Sequence, residues 1–143
     1  MSLSALLAAS LVAAAPAAAP QSPLPLAELP TQVLAVDECA LVLWERATGR
    51  RIAMITLRPE AIRIASDGGV LVLPKTSAEG DTVAGFPARL RFSDGRMSIM
   101  TSLAIVANDV AGSAIVRDGI ISVTGRDGVE VVSSVAGIAG CNR

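Results

Sequence analysis

An all-β fold, an antiparallel β-sandwich or a small closed barrel built from hairpins, is what the sequence predicts, and three features predict it. Apolar residues recur with period two: Ala88, Leu90 and Phe92 share one strand face while Arg89 and Arg91 share the other. Four Asp-Gly pairs, Asp67-Gly68, Asp94-Gly95, Asp118-Gly119 and Asp127-Gly128, stand between β-rich runs. Such a pair supplies the positive φ angles of a type I′ hairpin turn. From residue 39 onward no window has the apolar spacing of an amphipathic helix.

At 143 residues the chain has the length of one domain. Residues 1–19 carry no charged side chain, and Leu3 to Ala19 form an apolar, Ala-rich run broken by Pro16, which reads as a signal peptide. Its weak hydrophobicity and the break at Pro16 favour a cleaved leader over a permanent anchor. Ala17-Ala18-Ala19 and Ala15-Pro16-Ala17 are competing cleavage sites. Residues 20–31 hold four prolines and are expected to form an extended linker that tethers without packing. The all-β domain is expected over residues 32–143.

Within it the alternation places strands near residues 40–46, 51–57, 61–66, 70–74, 88–93, 96–106, 113–117, 120–124 and 129–135. Ile62 and Ile64 straddle an outward Arg63; Met97, Ile99, Thr101, Leu103 and Ile105 share a face. Trp44, on the first strand, is expected in the core or at its rim. Residues 75–87 read as the longest non-repetitive loop. Residues 117–125 and 126–134 are two similar nine-residue runs, which successive hairpins of equal length explain.

The two cysteines, Cys39 and Cys141, flank the domain, and an even count in an exported chain predicts that they pair. The leader, with this bridge, leads to the expectation of a periplasmic or secreted protein of a bacterial cell envelope.

His and Tyr are absent, and Trp44, Phe86 and Phe92 are the aromatic residues. This excludes His-based acid/base chemistry and His metal ligation, and it leaves no aromatic platform for stacking nucleic-acid bases. No Ser-x-x-Lys accompanies Lys75-Thr76 to make a serine hydrolase. Glu79 and Asp81 give the loop at 75–87 two carboxylates beside Lys75, the minimum for a small envelope hydrolase. No EF-hand spacing joins them to Asp94 or Asp109 as calcium ligands, and neither metal nor cofactor is expected.

Charge placement says more than the net charge of −1. Residues 46–96 carry nine Arg or Lys against five Asp or Glu, whereas residues 20–45 carry four acids and no base. Arg63, Arg89 and Arg91 alternate with apolar residues and should face outward, where they can form a basic patch for an anionic partner. The competing expectation is a solvated face with the arginines paired to Glu45, Glu60 or Asp94. The sequence thus reads as an exported, disulfide-closed, non-catalytic binding module whose partner is an envelope component and not a nucleic acid. Membrane contact is expected only through an uncleaved leader. The alternatives are the small hydrolase and a structural envelope component tethered by that leader.

Overall fold

Alternation along a strand demands that one face be buried, and a sheet closed on itself lets every strand bury the same face without leaving an edge. The computed structural model, which describes residues 11–17 and 22–143, takes this route. Its strands are β1 (Cys39–Glu45), β2 (Arg51–Leu57), β3 (Glu60–Ser66), β4 (Gly69–Val83), β5 (Phe86–Ser93), β6 (Ser98–Ala107), β7 (Ala114–Thr124) and β8 (Glu130–Cys141). Each pairs antiparallel with the next, and β8 returns to β1, so the domain is a closed up-and-down barrel. The expected leader falls largely outside the described residues; residues 11–17 belong to no strand and are exposed.

Leu41 and Leu43 of β1, Ile62 and Ile64 of β3, Leu90 and Phe92 of β5, and Ile121 and Val123 of β7 are all buried in one interior cluster. The interior is filled. A Cβ built on Gly119 would stand 2.7 Å from Leu103 Cδ2, and one on Gly137 2.8 Å from Leu43 Cδ2, so these glycines are needed for room. The outer wall carries Arg63, Arg89, Arg91 and Arg117, which is the reverse of a membrane-spanning barrel with its apolar band outside and polar lumen. Among the described residues no helix is long and apolar enough to cross a membrane.

Cys39 and Cys141 are register partners on β1 and β8, and their disulfide joins the first and last strands at one end of the barrel. The expected pairing is present. It closes a separation of 102 residues, which suits an oxidising compartment.

Several expectations change. There are eight strands rather than nine, because Ala114–Thr124 runs as one strand and Asp118-Gly119 is a bulge within it. The other three Asp-Gly pairs do stand in turns, but none is type I′, since Asp67, Asp94 and Asp127 keep negative φ. Asp94 Oδ1 instead accepts hydrogen bonds from Arg96 N (2.8 Å) and Met97 N (2.9 Å), fixing its turn through the side chain. Ala84 (φ 51°) and Gly85 (φ 88°) are the consecutive positive-φ pair. They join β4 to β5, so the expected loop at 75–87 is an extended hairpin. Two bulges bend it, and Phe86 enters the interior cluster while Gly85 meets Leu57, closing the end of the barrel that carries the disulfide.

The proline-rich stretch also packs, contrary to the expected free linker. Leu24 and Leu26 join the interior cluster; Leu29, fully buried, packs with Ala40, Met54 and Ala65 on the outer wall. Residues 22–34 therefore form a strap over β2 and β3. Two backbone bonds hold it, Ala27 N to Ala65 O (2.9 Å) and Leu29 N to Arg51 O (2.7 Å), and Arg51 Nε donates to Leu29 O at 3.0 Å. Its prolines leave few amides to satisfy, and the leucines between them supply the apolar contact.

Candidate functional site

With the interior filled, chemistry is left to the outer wall and to the ends of the barrel, where a recess of about 280 Å³ lies beside Asp37, Cys39 and Arg58. Outward positions of neighbouring strands fall into rows set by the register. One row runs Ser77, Arg91, Met100, Ser122, Val132 across β4 to β8; the next runs Ser93, Ser98, Thr124, Glu130 across β5 to β8. Small hydroxyl residues make the floor, with Ser122 only 5% exposed, while Arg91, Met100 and Glu130 stand around it. The result is a shallow concavity of about 120 Å³, with Thr76 at its β4 edge.

Four of the chain's twelve Lys and Arg side chains are held in ion pairs. Lys75 Nζ lies 2.5 Å from Glu60 Oε2, Arg89 Nε 3.4 Å from Glu79 Oε2, Arg63 3.6 Å from Glu38 and Arg46 3.6 Å from Asp118. Arg91 has no ion-pair partner among the described residues, and neither has Glu130. A free guanidinium beside a hydroxyl floor is a ready donor fork for an oxyanion.

The three arginines singled out from sequence are distributed unevenly. Arg89 and Arg91 are both exposed on β5. Arg63 lies on β3 level with Val72 of β4, whereas Arg91 is level with Ser77, so roughly 15 Å of strand and one intervening strand separate them. Their acidic neighbours are Glu38 and Glu79 rather than Glu45 or Asp94.

Glu45 is instead fully buried at the end of the barrel that the strap covers. Ser22 Oγ (2.7 Å) and Ser133 Oγ (3.0 Å) donate to its Oε1, and Thr48 Oγ1 (2.8 Å) to its Oε2. These bonds satisfy a buried carboxylate and pin the start of the strap.

Lys75, Glu79 and Asp81, the candidate residues of the polar segment, all lie on β4. Residues 75–83 of that strand pair with β5 alone and so present a free edge. Charges and bulges along such an edge block pairing with another chain. Lys75 and Glu79 point to different partners, Glu60 and Arg89, and are spread along an extended strand rather than gathered around a cleft.

A wider, apolar groove runs between residues 32–34 and the outer faces of β1 and β8, where Val42, Trp44 and Ile138 form its floor. Trp44 is half-buried there on the outer wall, not in the core, because Leu41, Leu43 and Glu45 take the inward positions of β1.

Sequence reasoning missed the hydroxyl floor. Its signal was the alternation Ile121-Ser122-Val123-Thr124, which assigns both hydroxyls to the face opposite the core, the face that Arg91 shares. Compared with protein-family models, with curated proteins and with solved structures, the chain matches none.

Proposed function

We propose that this protein is an exported binding module of the bacterial cell envelope, acting without catalysis and recognising an anionic partner on the outer wall of β5 to β7. One observation carries the reading: Arg91, without an ion-pair partner among the described residues, stands over a concave floor of hydroxyls. The filled interior supports it, since a barrel packed to contact distance has no room to carry a ligand inside. The disulfide supports export. Absence of His, together with the engagement of Lys75 and Glu79 in separate ion pairs, favours binding over hydrolysis.

The test uses the exported protein, an immobilised acidic polysaccharide and anionic vesicles, at low and high salt. Binding to one of these that weakens with salt and with the double replacement Arg89→Ser, Arg91→Ser is the expected result. Binding that ignores both changes, or no binding to either material, would overturn the reading.

A further inference from the structure

We infer that the concavity is a subsite for one carboxylated sugar unit of an acidic polysaccharide, with the carboxylate on the Arg91 guanidinium and the ring hydroxyls on Ser98, Ser122, Thr124 and Glu130. The inference rests on the binding reading above and names its ligand class.

The donor set decides the chemistry. A phosphate or sulfate group, carrying more charge on more oxygens, calls for several converging donors or cations. Here one guanidinium stands on one rim and a carboxylate, Glu130, on the other, so a polyanion would be attracted at one side and repelled at the opposite one. Between the rims the floor is made of serine and threonine hydroxyls, each of which both donates and accepts. Glu130 only accepts. A ligand that bears one negative charge at one end and several hydroxyls, each able to donate or accept, over the rest of its body matches that sequence of groups.

Shape agrees with the donor set. The floor residues are short and the surrounding Arg91, Met100 and Glu130 are long, which gives a recess of about 120 Å³ that can seat one ring on its face but cannot enclose a chain. Met100 offers an apolar, polarisable surface to the C–H face of the ring, a role that aromatic residues would otherwise fill. A flat lipid surface fits less well. It spreads its charge over many headgroups, whereas the concavity itself offers one guanidinium, Arg89 is engaged by Glu79 and Glu130 stands close by.

Amide chemical-shift titration of the exported protein tests this with three probes: a hexuronate monosaccharide, the corresponding neutral hexose and inorganic phosphate. Expected are shifts confined to residues 76, 91–93, 98–100, 122–124 and 130, saturating at roughly millimolar uronate, with the hexose bound about tenfold or more weakly. Arg91→Ala should reduce uronate binding about tenfold or more and leave the hexose nearly unchanged. Ser122→Val should weaken both sugars, whereas Arg117→Ser on the same wall should change neither. The amide spectrum of each variant reports whether it is folded. Equal binding of uronate and hexose, phosphate binding as tight as uronate, or shifts that survive Arg91→Ala would overturn the subsite. If uronate shifts nothing while an acidic polysaccharide still binds through Arg89 and Arg91, the subsite falls and the binding module stands. Loss of both removes the two together.

Discussion

The walls of this barrel differ in what covers them. Over β2 and β3 the outward positions include Met54 and Ala65, and the strap buries them beneath Leu29. Over β5 to β7 the outward positions mix Arg89, Arg91, Ser98, Ser102, Ser122 and Thr124 with Met100 and Ile120, and no other segment of the described chain crosses them. Both walls obey the same alternation, so the inward face alone does not distinguish them. The chain covers one apolar stretch from its own N-terminal side, whereas the hydroxyls and arginines of the other wall are stable in water without a cover.

The largest expected effect falls on the anchor of the covered side. The disulfide closes the β1–β8 seam beside the point where the strap rejoins the barrel, where Asn142 Nδ2 donates to Leu34 O at 2.9 Å. Reducing it should lower stability by up to about 4 to 5 kcal/mol, from the entropy of a 102-residue closure. Denaturant unfolding with and without reductant measures this; a loss near zero would remove the bridge from the account.

Next comes the cover itself. Leu29→Ala should cost about 2 to 5 kcal/mol, because it empties a fully buried contact with Ala40, Met54 and Ala65. Arg91→Ser, on the open wall, should change stability by no more than about 0.5 kcal/mol. Comparable losses from the two variants would erase the distinction between the walls.

A smaller effect of opposite sign is expected inside. Thr101 Oγ1 is buried among apolar side chains without a hydrogen-bond partner. Thr101→Val keeps the shape and removes the stranded hydroxyl, so thermal unfolding should show a gain of about 1 kcal/mol. A loss would mean that the hydroxyl is satisfied in solution.

The smallest effect concerns acid. Hydrogen bonds from the Met97 and Arg96 amides hold the Asp94 carboxyl below the usual carboxylate range. A folded value lower than the unfolded one gives stability that is complete above the ordinary Asp range and is lost as pH falls through the depressed value. Stability of Asp94→Asn should therefore fall less steeply at acid pH than that of the unchanged protein. Identical acid limbs would refute that contribution.

The legibility of the molecule from sequence follows the same division. Alternation revealed the interior of β3 and β5, because Ile62, Ile64, Leu90 and Phe92 are large and their outward neighbours are charged. It stopped short on β8, where Ala136, Gly137, Ala139 and Gly140 carry no strand signal although the strand continues to Cys141. Asp118-Gly119 has the composition of a turn, but its glycine is required by the closeness of Leu103 and Val135, a tertiary demand that no local rule reports. The strap was missed for a related reason. Proline spacing describes an extended chain correctly, and only the apolar outer residues of β2 and β3 decide that it must pack. Of the site, Arg91 was legible from its place between Leu90 and Phe92, while the hydroxyls around it needed the strand order.

If the open wall of β5 to β7 is the working surface, an amide chemical-shift map of the protein with a soluble polyuronate tests it most directly. Shifts should concentrate at residues 89–93, 98–102 and 122–124 and fade as salt is raised. Shifts concentrated instead on the strap at residues 24–34, on the Trp44 groove or along the β4 edge at residues 78–83 would contradict it.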